Sequence, residues 1–198
     1  MPRLFVAIDL PEPVKDRLDP LCRGVPGARW VRDRQFHLTL RFLGEVEGPV
    51  FASVSEALRL VHLPPFELGV HGVGHFPPRG RPRVLWAGVA HGPGLLEAQR
   101  QVERVLRRAG LPPAERNFAP HVTLARLNGA PLPRVVGWLE DHAALATEAF
   151  RVERFELFSS VPGREGSQHV VEETYPLFAS GRGETATPAD LPPPPRLS

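Results

Sequence analysis

The sequence predicts an α/β (α+β) protein in which one α/β unit is duplicated, and three observations carry this. Apolar alternation and short apolar runs mark strands, and segments of 3.6-residue period fall between them. The order strand, helix, strand bearing a histidine, helix, strand occurs twice, around His37 and around His121. The two openings are also alike, Arg3-Leu-Phe-Val-Ala-Ile8 against Arg83-Val-Leu-Trp-Ala-Gly88. Two such units packed about a pseudo-twofold axis bring equivalent strands face to face across a groove. Ligands favour clefts of that kind.

The elements follow in order. Strands are expected near residues 4–10, 37–43, 66–76, 84–91, 119–126, 150–160 and 169–178. Val50, Val54, Ala57, Leu58 and Val61 share one helical face, as do Leu95, Ala98, Val102, Val105, Leu106 and Ala109, the latter helix stopping at Gly110. Shorter helices are expected after Pro11 and after Pro133. The folded unit is expected over 1–178, as pseudo-repeats of roughly 1–80 and 81–178. The segment 179–198, with prolines at 188 and 192–195, is expected to be a disordered tail.

Composition excludes several classes. With 42% hydrophobic and 23% charged residues in 198 positions, the chain is globular, and no apolar run approaches the length of a membrane span. The stretch Leu4 to Leu10 is broken by Asp9 and is too short for an export signal, so a cytoplasmic protein is expected. A single cysteine, Cys22, allows no internal disulfide and is expected to be an inert thiol. Lys15 is the only lysine among 24 basic residues, and the net charge of +2 permits a nucleic-acid or nucleotide partner without requiring one. Neither G-x-x-x-x-G-K-[ST] nor G-x-G-x-x-G occurs, so no nucleotide cofactor is expected. His71 and His75 have i, i+4 spacing, but the glycines between them argue against a helix, and no metal site is expected.

Two motifs carry the functional signal: Phe36-His37-Leu38-Thr39-Leu40 and Pro120-His121-Val122-Thr123-Leu124. Two His-x-Thr triplets with apolar residues in both flanking positions arise about once in a thousand sequences of this composition. On a strand, side chains alternate faces, so each His and Thr project together while the intervening Leu or Val enters the core. Two facing imidazoles suit a reaction in which one takes a proton and the other gives one. Phosphodiester cleavage is such a reaction, with the threonine hydroxyls donating to nonbridging phosphate oxygens and no metal required. Spacing alone leaves the two proton roles interchangeable.

At these residues the sequence resembles the 2H phosphoesterase superfamily, and within it the RNA 2′,3′-cyclic phosphodiesterases once called 2′-5′ RNA ligases. The likeness covers residues 2–178 and includes Arg3 to Pro11, Phe36-His-Leu-Thr-Leu-Arg-Phe-Leu-Gly-Glu45 and Pro82-Arg-Val-Leu-Trp86. It implies a bilobal α/β fold, with two antiparallel-rich sheets flanking a central cleft lined by both His-x-Thr strands and helices outside. It also implies hydrolysis of a terminal 2′,3′-cyclic phosphate to a 2′-phosphate, with His37 as proton donor, His121 as acceptor and 2′-5′ ligation as the reverse reaction. An arginine placed as Arg126 is implied as a phosphate contact, although strand parity puts it on the face opposite His121 unless a bulge redirects it. Parity instead aims Arg41 at the cleft with His37 and Thr39. Phe76 is a candidate to stack a base at the cleft rim. The expected partners are RNA ends or cyclic-phosphate nucleotides, with no membrane, no obligate protein partner and a monomeric chain. Alternatives are a phosphodiesterase for small cyclic nucleotides such as ADP-ribose cyclic phosphate and, in another class, a non-catalytic RNA-end binding module. The remaining histidines, His169 among them, read as surface or capping residues.

Overall fold

A computed structural model describes residues 3–178 except 33, 34, 91, 164 and 165. The expected tail, 179–198, lies outside the described residues. The chain runs β1 (Arg3–Asp9), α1 (Glu12–Leu18), β2 (Ala28–Trp30), β3 (His37–Glu45), α2 (Gly48–Leu58), β4 (Phe66–Leu68), β5 (Val70–Phe76) and β6 (Val84–Val89). It continues through α3 (Pro93–Arg108), β7 (His121–Leu127), α4 (Leu132–Asp141), β8 (Phe150–Val152), β9 (Arg154–Gly163) and β10 (Gly166–Pro176). Each of these α-helices carries a proline in its first turn, where the missing N–H costs nothing and the fixed φ is already helical. After α3, Gly110 takes φ +92°, and Leu111 N–H returns to the Leu106 carbonyl, closing the helix as expected.

The strands form one path, β10-β9-β1-β3-β7-β6-β5, with β2 added to β7, beside a small β4-β8 pair. The two antiparallel halves of the path meet between β3 and β7 through a single register pair, Leu38 opposite Val122. The sequence repeats do not map onto these halves. The third strand of the first repeat, β5, pairs with β6 of the second, and β9 of the second pairs with β1 of the first. Each half is thus built from both repeats, and the boundary near residue 80 falls within one half, in the loop between β5 and β6. That exchange follows from connectivity, since a short loop joins β5 to β6 and sequential strands pair readily as hairpins.

One contiguous core joins the helices to one face of the sheet. It contains Leu4, Val6 and Ile8 of β1, Leu38 and Leu40 of β3, Val122 and Leu124 of β7, and Val54, Leu58, Leu95, Val102 and Trp138 of the helices. A second, smaller cluster of Phe5, Ala7 and Phe158 lies separate from it, on residues alternating with the first set. The polar site shares the face of this second cluster. Cys22 packs against the main core, and burial, with Asp19 nearby, pushes its thiol up to about 12.

Candidate active site

The pairing of Leu38 with Val122 fixes the site. Both side chains are fully buried, so their neighbours His37, Thr39, His121 and Thr123 project from the other face. Antiparallel register then sets His37 across from Thr123 and His121 across from Thr39, leaving the two histidines diagonal at about 7–8 Å between backbones. All four side chains are half-buried.

Each imidazole is anchored the same way. His37 Nδ1 lies 2.9 Å from the Gln35 carbonyl and His121 Nδ1 lies 2.7 Å from the Ala119 carbonyl. A carbonyl can only accept, so both rings carry hydrogen on Nδ1 and, when neutral, keep the acceptor lone pair on Nε2. Each ring also rests on an aromatic. Phe5 lies 4.8 Å from His37 between ring centroids, with Phe158 stacked on Phe5 at 5.2 Å. Phe76 meets His121 edge to face at 4.9 Å and is itself packed on Trp86 at 5.4 Å. Trp86 lies across Gly74, where any Cβ would overlap its six-membered ring. Phe76 therefore backs His121 and is half-buried.

Two β-bulges decide the arginines. On β3 the register passes from Thr39 to Arg41 opposite Ala7 and Val6, leaving Leu40 as an extra residue. On β7 it passes from Thr123 to Ala125 opposite Trp86 and Leu85, leaving Leu124. An extra residue reverses parity beyond it. Arg41 is consequently turned to the helix side, where it pairs with Glu103 of α3 at 2.8 Å and donates to the Pro112 carbonyl. The parity expectation for Arg41 is thereby corrected. Arg126 is turned the opposite way, onto the face of His121 and Thr123, and is exposed. Its positive charge bears on His37, His121 and His169.

His169 is the residue that sequence reasoning missed. Its ring lies 4.9 Å from His37 and 5.0 Å from Phe5, both edge to face, and its backbone N–H donates to Gln35 Oε1 at 3.1 Å. Gln35 thus holds His37 by its backbone and β10 by its side chain. Phe42, the residue matching Arg126 in the first repeat, also joins the site face and lies 6.0 Å from Phe5.

Burial dominates the electrostatics. It pushes His37 down to about 4, with the nearby His169, His121 and Arg126 acting in the same direction against the Gln35 hydrogen bond. His121 and His169 are lowered as well, by burial and then Arg126. His71 and His75 lie on β5, so their spacing does not bring them onto adjacent helical turns. Among the described residues no three His, Cys, Asp or Glu side chains cluster as metal ligands. No helix among the described residues is long and apolar enough to cross a membrane.

Comparison with known proteins agrees with the repeat. The family pattern described as LigT like Phosphoesterase matches twice, at residues 8–86 and 89–167. An Aeropyrum pernix protein named RNA 2′,3′-cyclic phosphodiesterase is 39% identical over 162 residues, spanning 81% of this chain and 90% of that one. The crystal structure of TT0787 of Thermus thermophilus superposes with a TM-score of 0.73 at 31% identity, over 90% of this chain and 99% of that one. The E. coli LigT structure complexed with 3′-AMP gives 0.70 at 26% identity, over 89% and 99%. The chain belongs to the LigT-like phosphoesterase family.

Proposed function

We propose that this chain is an RNA 2′,3′-cyclic phosphodiesterase that opens the cyclic end to a 2′-phosphate by two-histidine acid–base catalysis. The observation that carries the reading is the single Leu38–Val122 pair, from which two His-x-Thr strands present their polar side chains on one face. The Aeropyrum pernix relative bears that activity in its name, and the E. coli neighbour is complexed with a nucleotide, 3′-AMP. Neutral His121 takes a proton from water as the water oxygen bonds to phosphorus. The bond from phosphorus to the 3′ oxygen breaks, and charged His37 gives that oxygen a proton. Thr39, Thr123 and Arg126 donate to the nonbridging oxygens, which gain charge at that moment.

The division of roles follows the family resemblance, because burial in the free chain holds His37 down at about 4 and keeps it largely neutral near pH 7. An arriving phosphate anion raises it by supplying the opposite charge. The reverse reaction is 2′-5′ ligation, which water disfavours. One chain supplies both histidines, so a monomer suffices, and the cytoplasm is the proposed setting. The deciding experiment is incubation with an oligoribonucleotide ending in a 2′,3′-cyclic phosphate. A 2′-phosphate end is the expected product, a 3′-phosphate would reverse the substrate's polarity, and binding without turnover would leave an RNA-end binding module.

A further inference from the structure

Resting on that reading, we infer that the cleft between β2 and the end of β7 is a second phosphate subsite, which takes the phosphodiester preceding the cyclic end of a single-stranded RNA. This cleft has a volume of about 630 Å³ and is lined by Arg29, Trp30, Arg32, Arg126 and Asn128. Register pairs β2 with β7 so that Arg29 lies directly opposite Arg126, and Trp30 opposite Ala125. Directly opposed residues project to the same face, so Arg29 shares the face that the Leu124 bulge gives to Arg126. Trp30 takes the other face and packs toward Trp138 at 5.8 Å.

Two like charges directly across an antiparallel pair repel. Both arginines are exposed, and among the described residues neither forms an ion pair with a carboxylate. The arrangement persists because the backbone is fixed. Asn128 N–H donates to the Gly27 carbonyl at 3.0 Å, and at Gly27, with φ +77°, a Cβ would overlap the Asn128 carbonyl oxygen. A phosphodiester held by Arg29 relieves the repulsion and supplies the oxygens its planar fork matches, with Arg126 shared between this phosphate and the terminal one. Arg126 connects this cleft to the histidines, since its charge reaches all three. An RNA with its terminal phosphate between His37 and His121 would therefore find its next phosphate provided for one strand further out.

The substrate class that follows is an oligoribonucleotide rather than a mononucleotide. The test compares uridine 2′,3′-cyclic phosphate with a trinucleotide carrying the same end, using the full chain and the Arg29→Gln variant. The wild type is expected to show a kcat/KM at least tenfold higher on the trinucleotide at low salt. Arg29→Gln should lower that value about tenfold, the scale of one charge-assisted hydrogen bond, change the mononucleotide value less than threefold, and flatten the salt dependence. Arg29→Lys should restore part of it. The variant should melt no lower than the wild type, because one of two facing cations is gone. Equal turnover of both substrates, or an equal loss on both in Arg29→Gln, overturns the subsite and leaves the proposed activity standing. Turnover of neither substrate by the wild type overturns both.

Discussion

Leu40 and Leu124 are each the extra residue of a β-bulge, placed one position after the threonine of the strand that carries it. Both leucines stay in the core while the chain beyond them reverses its faces. The bulges thus do the same thing to both repeats, and the residues they release differ: Phe42 and Arg126 join the site face, whereas Arg41 and Ala125 leave it. A fold with near twofold symmetry acquires a cationic side and an aromatic side, and a substrate with unlike ends can then bind in one orientation.

The two arginines should separate by their effects. Arg126→Ala is expected to reduce kcat/KM roughly 10- to 100-fold with little change in melting temperature, because it removes a charged donor from an exposed side chain. Arg41→Ala should instead destabilise the fold by about 3 kcal/mol or more, since Glu103, whose side chain is 21% exposed, is left without its partner. Denaturant unfolding and kinetics on both variants check this. Equal loss of activity with unchanged stability in Arg41→Ala would mean that Arg41 reaches the substrate.

Much of this was legible in the sequence because period and parity are local. The strand and helix order, the paired His-x-Thr triplets and their common face required only alternation along each strand. What was not legible depended on chain geometry that alternation ignores. The bulges invert the assignments of Arg41 and Arg126, and β2, three residues long, is too short for a periodic signal. Strand exchange between repeats is a matter of partner choice. His169 approaches His37 although β9 and β1 lie between their strands, and its solvent-exposed strand neighbours Val170 and Val171 gave no pattern pointing to a site.

Gly74→Ala should impair the site from a distance. The added Cβ would overlap the Trp86 ring, Trp86 supports Phe76, and Phe76 lies edge-on to His121. We expect a fall in kcat of roughly tenfold or more, as small misplacement of an acid–base group is costly, together with a change in tryptophan fluorescence. A variant with altered fluorescence and normal kcat would show that His121 does not depend on this aromatic wall.

Turnover should survive excess EDTA. In the proposed mechanism the two imidazoles, two hydroxyls and Arg126 supply proton transfer and charge neutralisation at the phosphate, the roles a metal ion otherwise takes. Activity lost to chelation and regained with zinc or manganese would contradict that division of labour.

Replacing either His37 or His121 by Ala should reduce turnover by roughly 10² to 10⁴ while the fold is retained. The double variant should lose far less than the product of the two, because both act in one proton-transfer event. Thr39→Val and Thr123→Val should each cost about 1.5–3 kcal/mol of transition-state stabilisation, one hydrogen bond to a charged oxygen. A folded single-histidine variant retaining a third of the wild-type rate would rule out the two-histidine mechanism.

The pH profile tests the electrostatics most directly. In the proposed mechanism the base must be neutral, so activity should rise as pH climbs through the value of His121, which burial and Arg126 hold below the ordinary 6.5. The acid must be charged, so activity falls as pH climbs through that of His37, which burial lowers to about 4. The kcat/KM profile of the free enzyme is therefore a bell whose maximum lies below pH 6.5, its limbs belonging to the coupled pair. A bound phosphate anion raises both values, so the kcat profile should peak at higher pH than the kcat/KM profile. Arg126→Ala removes a cation that depresses both imidazoles and should move the kcat/KM bell to higher pH. Folding obeys the same sign: the unfolded chain protonates His37 near 6.5, so its share of stability is lost as pH falls from about 6.5 toward 4. A kcat/KM maximum above about pH 7 that stays put in Arg126→Ala would show that neither burial nor that arginine sets the proton affinities used in the reaction.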